Sequence, residues 1–380
     1  ERLAHRFWQW HQRLDSRLQA KTPRRLLYVG YRLSAFAAFG VPLRLIERIN
    51  RQQLPKRCAP LQHQPGDQLV LLDSSWHSDF FSHAEQLKRE GVGIVAVIYD
   101  LIPLTHPQFY DTRLVQVFSE WFDWITRTAD GYLAISATVR DQVRAELQQR
   151  IGTVQAEKRW FDYFHLGSEL DLHSAGETVE PRLQQLFNTP VPLFLMVSTI
   201  EPRKNHAYLL DAFERAWTAG SPARLCIAGR IGWKCDALLA RVRSHPELNR
   251  RLFMFNDLSD TSLEHAYAHA SALVFPSFVE GFGLPLVEAM QRGLPAMGSD
   301  IAVFREIGGE FMAYFDLQDP QSLADLIMRF LQSGQFPAAR DVADWRWIDW
   351  HEASAQLAER TVRNAVQAPL APARPHAHCP

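Results

Sequence analysis

The sequence has almost no net charge: 41 Lys and Arg against 42 Asp and Glu leave −1 over 380 residues. Nothing global draws such a chain toward nucleic acid, and an anionic substrate must be held by locally arranged groups. Cysteine is equally scarce. The four present, Cys58, Cys226, Cys235 and Cys379, form no CxxC pair. The Cys226 to Cys235 spacing lacks the partners of a zinc site, and a reducing, cytoplasmic setting fits best. No apolar run approaches the roughly 18–20 residues that span a bilayer, and the opening ERLAHRFWQWHQRLDSRL is not a signal peptide. Residue 1 is Glu and not Met, so the chain is expected to be trimmed or to belong to a longer protein.

What is present is apolar material for two cores. The chain is 47% hydrophobic with 11 Trp and 23 Phe, and at this length two domains are expected. The first 18 residues read as an amphipathic helix, with Leu3, Phe7, Trp10 and Leu14 on one side. A packing helix is the plainer reading of it; docking to a partner or a membrane surface through Trp8, Trp10 and the nearby basic residues is the other. Short strands apolar on both faces follow at 24–30, 69–73, 93–100 and 130–136, separated by amphipathic helices. That alternation predicts a parallel sheet covered on both sides. Polar and turn residues between Gly167 and Pro192 suggest a linker. A second series of strands then runs through 193–198, 223–229, 252–255, 272–277 and 295–299. The expected organisation is residues 1–178, a first wound domain; 179–345, a second wound domain; 346–366, a helix crossing back to the first domain; and 367–380, a disordered tail.

Four clusters fall at the carboxyl ends of strands in the second half, where open parallel sheets bind ligands. VSTIEPRKNH brings Arg203 and Lys204 to a strand-to-helix turn, where guanidinium and ammonium can neutralise phosphate oxygens. Two cations there are also ordinary surface. LCIAGRIGW carries Gly229, Arg230, Gly232 and Trp233, and reads equally well as a tight turn with a buried Trp. FPSFVEGFGLPLVEAM is richer: Glu280 in a loop, Gly281 and Gly283 for close backbone approach, Pro285 at a helix start and Glu288 on that helix. Amides at such a helix start favour an anion, and Glu288 can accept both hydroxyl protons of a ribose. MGSDIAVFREIGG, read alone, is packing.

Together these residues resemble the family four glycosyltransferases of GT-B fold, in the bacterial group that makes cell-surface polysaccharides. The likeness is strongest from Leu193 to Asp319, through EPRKN, AGRIGW, the E-x7-E stretch FVEGFGLPLVE and SDIAVFREIGG. It implies an α/β chain of two doubly wound Rossmann-like domains facing a central cleft, and a retaining, metal-independent transfer of a hexose from a nucleoside-diphosphate sugar to a growing glycan or lipid-linked acceptor. Lys204 and Arg203 inherit contact with the diphosphate, Glu280 with the donor sugar and Glu288 with the ribose. Backbone amides around Gly281, Phe282, Gly283 and Leu284 would line sugar and phosphates, with Thr199, Arg230 and Gly40 as further binding positions. In the first domain VIYDLIPLTHP resembles a segment that usually reads HD, so Asp100 matches the Asp and Tyr99 replaces the His, with His106 nearby. Ser198 stands where many members carry Arg, and AAFGVPLRLIERI offers Gly40 and Arg44 where a double glycine is usual.

The EPRKN and AGxxGW pattern resembles mannosyltransferases using GDP-mannose, ahead of UDP-hexoses and dTDP-rhamnose. A catalytically degenerate nucleotide-binding or scaffold subunit is the alternative, and a sugar-nucleotide epimerase or glycogen-type synthase a third reading. The location implied is the cytoplasm, or the inner face of the cell membrane through the N-terminal helix.

Overall fold

A computed structural model describes residues 62–72, 78–168 and 178–367. The N-terminal amphipathic helix with its docking role, the strand expected at 24–30, Gly40, Arg44 and the C-terminal tail lie outside the described residues. Two parallel sheets form the frame. The first holds β1 (Gln68–Leu71), β2 (Gly93–Ile98), β3 (Gly131–Ala134) and β4 (Trp160–Tyr163), paired in that order. Its helices are α1 (Ser78–Arg89), α2 (Ile102–Thr105), α3 (Thr112–Thr128), α4 (Ala137–Ile151) and α5 (Thr153–Ala156). Every residue of β2 is buried, as a strand covered on both faces requires. In α3, Asp111 accepts the Leu114 N–H at 2.9 Å to start the helix. Phe118, Trp121, Phe122 and Ile125 then recur at helical spacing and turn one stripe into the core.

The second half begins with α6 (Pro181–Leu186), inside the stretch expected to be linker. Its Leu183 and Leu186 are buried, so this segment is packed helix. Then come β5 (Leu193–Val197), α7 (His206–Thr218), β6 (Arg224–Ala228), α8 (Asp236–Arg243), β7 (Leu252–Phe255), α9 (Asp260–His269), β8 (Ala272–Phe275), α10 (Leu284–Gln291), β9 (Ala296–Ser299), α11 (Ala302–Gly308), β10 (Ala313–Phe315) and α12 (Pro320–Ser333). The strands lie in the order β10-β9-β8-β5-β6-β7, all parallel. Counted from β5, this is the doubly wound order 3-2-1-4-5-6, whose direction reverses between β5 and β8. The sequence pattern missed β4 and β10. WFDY is a half-buried strand at the end of its sheet and carries an acid, and AYF is only three residues long, so neither presents an apolar run.

The last helix, α13 (Trp350–Gln367), returns to the first sheet as expected. Arg360, Arg363 and Asn364 converge on Asp162 of β4, with Arg363 at 2.7 Å and Asn364 at 2.9 Å. Just before it, Trp347 donates its indole N–H to the Leu166 carbonyl at 2.8 Å, and the Ser168 N–H reaches the Ile348 carbonyl. One continuous apolar cluster includes Val95, Leu133 and Phe164 from the first half and Leu195, Phe275, Phe282 and Trp345 from the second.

A single carboxylate joins the two halves at their polar edge. Glu306 of α11 accepts the Ala137 N–H at 2.7 Å, the Thr138 N–H at 2.8 Å and the Thr138 hydroxyl at 2.7 Å, all at the start of α4. Its other neighbour is His165 Nε2 at 2.8 Å. Burial works against its charge, but His165, Thr138 and the two amides outweigh that and lower its pKa from 4.5 to about 2. The stabilisation, up to roughly 3 kcal/mol, is in place above the unfolded value and fades as pH falls toward the folded one. Glu306→Gln is therefore expected to lower the thermal midpoint by several degrees at pH 7. The gap from wild type should narrow as pH drops from 5 to 2. A gap that is the same at both ends would show that the charge contributes nothing.

Candidate functional site

The reversal between β5 and β8 opens the sheet at its carboxyl edge, and the two loops leaving those strands carry the charged residues. After β5, Pro202–Lys204 form a single helical turn that Asn205 ends in the left-handed region, φ 58°, before α7 starts. Asn is among the few side chains that adopt this conformation readily. The loop after β8 is tied to this turn by the Phe278 N–H donating to the Arg203 carbonyl at 2.9 Å.

Two cations and two carboxylates meet there. Glu280 Oε1 accepts from Lys204 Nζ at 2.5 Å and from the Ser277 hydroxyl at 2.8 Å, and its Oε2 accepts from Arg203 Nη1 at 2.6 Å. On the other side of the guanidinium, Arg203 Nε lies 2.7 Å from Glu201 Oε1. Glu201, Lys204 and Glu280 are all buried. Lys204 also sits over the Phe275 ring, 4.9 Å from its centroid. Burial alone would raise the Glu280 carboxyl; Lys204 and Arg203 together outweigh it and hold the group below its ordinary range. Burial also works against the Lys204 ammonium. The 2.5 Å contact decides for the ionised pair, since a buried carboxylate next to a neutral amine would lose its main compensation. Glu201 is pushed upward by burial, with Arg203 opposing, and its Oε2 is buried without a hydrogen-bond partner.

The first half reaches this cluster at Tyr99 and Asp100. Asp100 accepts the Ile102 N–H at 3.0 Å at the start of α2, and burial raises its pKa, with Arg203, Glu280 and Lys204 within electrostatic range. Gly281 is needed here for a reason the motif did not reveal. A Cβ on it would fall 2.1 Å from the Tyr99 carbonyl, so the glycine admits the strand end of the first half. Its carbonyl accepts the Ser136 hydroxyl at 3.0 Å, and that hydroxyl also caps α4 at Val139.

The remaining residues singled out from the sequence are less tightly grouped. Glu288 is half-buried on α10 and accepts the Tyr267 hydroxyl at 2.8 Å, away from the bonds of the Glu280 cluster. Phe282 is buried against His165 and Trp347, so its ring serves packing. Gly283, at φ 120°, precedes α10 and supplies its carbonyl to Leu286, and Leu284 opens that helix. Thr199 and Arg230 are exposed beside this edge, with the Ile200 N–H bonded to the Arg230 carbonyl. Ser198 holds no cation's place electrostatically: its hydroxyl lies 3.3 Å from His206, whose pKa burial lowers to about 3. His106 is bonded locally, Nδ1 to the Thr105 hydroxyl at 2.9 Å. Trp233 is not the buried turn residue of the plain reading. It is 43% exposed and donates to the Phe109 carbonyl across the two halves.

Two residues at the cluster escaped the sequence reading. Glu201 stood in plain view inside EPRKN, but a carboxylate beside two cations gives no sequence signal for which atom it holds. Tyr110 lies ten positions past Asp100 in a loop; burial raises its hydroxyl, and Arg203, Asp100, Glu201 and Glu280 all act on it. Among the described residues no three His, Cys, Asp or Glu side chains gather as a metal would require.

With this geometry in view, the likeness to known proteins is specific. Residues 180–343 match the family model described as glycosyl transferases group 1. The serotype-specific mannosyltransferase WbdA of Escherichia coli is 32% identical over 303 residues, 78% of this chain and 37% of that protein. The chain thus spans little more than a third of that relative. The O-antigen chain mannosyltransferase B of Escherichia coli is 26% identical over 82% of this chain and 81% of its own. Among solved structures, Anabaena HepE in complex with UDP and glucose superposes with a TM-score of 0.57 at 16% identity, covering 76% of this chain and 84% of that one. Sucrose-phosphate synthase from Thermosynechococcus elongatus gives 0.55 at 20% identity, covering 76% and 72%. Two wound sheets in the GT-B arrangement, with the family match lying across the second, make this chain a member of the family four, or group 1, glycosyltransferases and relate it to the bacterial mannosyltransferases of surface polysaccharides.

Proposed function

We propose that the chain is a retaining glycosyltransferase that moves mannose from GDP-mannose to a growing surface glycan or lipid-linked saccharide, in the cytoplasm at the inner face of the cell membrane and without a catalytic metal. The observation that carries this reading is the cluster of Arg203 with the buried Lys204 and Glu280, on the loops that follow the two strands flanking the switch point.

The cations are paired with Glu280 and Glu201. A donor diphosphate competes for them, taking Lys204 and the outer nitrogens of Arg203 while Glu201 keeps hold of Nε. Glu280, freed from the cations, then becomes an acceptor for hydroxyls of the donor sugar, and Glu288 for those of the ribose. As the anomeric carbon parts from the diphosphate, negative charge grows on the leaving oxygen. Fixed cations stabilise it more in the transition state than before, which is what lowers a barrier. The acceptor oxygen bonds the anomeric carbon on the face the diphosphate leaves, and its proton passes to a phosphate oxygen. Asp100 and Tyr110 approach from the first half, where the acceptor must enter, and contact between the halves limits the water that would hydrolyse the donor.

Lys204→Ala and Glu280→Ala are each expected to cut sugar transfer by about ten- to a thousand-fold, the scale for loss of one charged stabiliser. Wild-type turnover by either variant would contradict the assignment. In a thermal-shift series GDP is expected to stabilise the protein at concentrations where UDP and dTDP do not, by mass action on the folded state. Stabilisation by UDP alone would replace the donor, and a response to none of the three would remove the nucleotide site. Transfer in the presence of EDTA is expected to match that without it, with an α-linked product from an α-linked donor; loss of turnover on chelation or an inverted product would reject those parts.

A further inference from the structure

The edge that carries the charged cluster also carries exposed aromatic surface. Tyr99, Trp233 and Phe278 are 45%, 43% and 43% exposed, large values for such side chains. They come from the ends of β2, β6 and β8, the same loops that frame Arg203 and Glu280. The Phe278 ring stacks on Phe109 at 5.7 Å with 20° between planes, and Trp233 lies 5.9 Å from Tyr110. The arrangement is pinned by polar bonds. Trp233 donates to the Phe109 carbonyl at 2.8 Å, and Lys234, itself at φ 52°, donates to the Gln108 and Tyr110 carbonyls at 3.0 and 2.5 Å. Phe278 is joined directly to the cation pair through its N–H on the Arg203 carbonyl.

Apolar surface kept in water and gathered in one place marks a binding site. Rings set among hydroxyls and cations suit a ligand with an apolar face and a polar rim, which is the chemistry of a pyranose. The donor contacts proposed above, through Arg203, Lys204 and Glu288, all lie in the second half. Trp233 and Phe278 also belong to the second half but are held against Gln108, Phe109 and Tyr110 of the first, so their rings lie where the halves meet and the group that receives the sugar must enter. Resting on the glycosyltransferase reading, we propose that Trp233 and Phe278, backed by Phe109 and Tyr110, form a subsite that stacks a pyranose ring of the acceptor saccharide.

Saturation-transfer NMR on the whole protein tests this without turnover, using α-linked mannotriose, with maltotriose and a galactotriose beside it, in the presence of GDP. Irradiating aromatic protons is expected to saturate the ring protons of a trisaccharide in the wild type. The signal is expected to fall about five-fold or more in Trp233→Ala and in Phe278→Ala and to return in Trp233→Phe, because aromatic contacts of this kind dominate such interfaces. Unchanged transfer in both alanine variants, or none from any trisaccharide in the wild type, would overturn the subsite. Loss of GDP signals with saccharide signals intact would also overturn it, by giving the rings to the nucleobase. Failure of every nucleotide to bind, with saccharide transfer preserved, would instead count against the donor reading alone. Each variant is checked by its thermal midpoint, so a folding defect in one leaves the other to decide.

Discussion

The contact on which the rest of this molecule is organised is the buried ion pair between Lys204 and Glu280, with Arg203 locked to the same carboxylate. It joins the loops of β5 and β8 across the one place where the sheet cannot close over its own edge. Charges at such depth are costly unless paired and hydrogen-bonded, and here each has partners: Ser277 on the carboxylate, Phe275 under the ammonium and Glu201 behind the guanidinium. The two cations are already matched by carboxylates, Glu280 and Glu201, with Asp100 in range as well. On the proposed reading, an anion enters only by offering something to Glu280 in return. A sugar diphosphate brings hydroxyls that can do so.

The legible parts of the fold were those whose chemistry is local. Strands buried on both faces, such as GIVAVI and LFLMV, announce themselves by continuous apolar residues, and both are strands within a residue or two of where the pattern put them. The helix from Trp350 was legible from its amphipathic face, although residues 347–349 precede it as an extended link. What failed was also local in origin. Pro181–Leu186 looked like linker because six residues hold too little pattern to separate a helix from turns, and only burial of Leu183 and Leu186 against the second half reveals it.

At the site the same division holds. The identities of Arg203, Lys204 and Glu280 were readable, because cations and an acid at strand ends are unusual company. Their direct bonding was not, because it depends on the order of β5 and β8 in space, which no short motif encodes. Gly281 shows the limit most clearly. Its sequence context suggested close approach by a ligand, but the neighbour nearest its open side is the Tyr99 carbonyl of the other half. Tyr110 and the exposed ring of Phe278 carried no signal until the two halves were seen together.

Glu306 gives the seam between the halves an unusual property. Ser136 caps α4 at Val139 from within its own half, but the two amides before it, of Ala137 and Thr138, are held from the other half. Drawing them apart would bare two N–H groups and a carboxylate at once, all of which must then be wetted together. Separation of the halves at this point therefore carries the cost of an unfinished helix end as well as that of an unpaired acid.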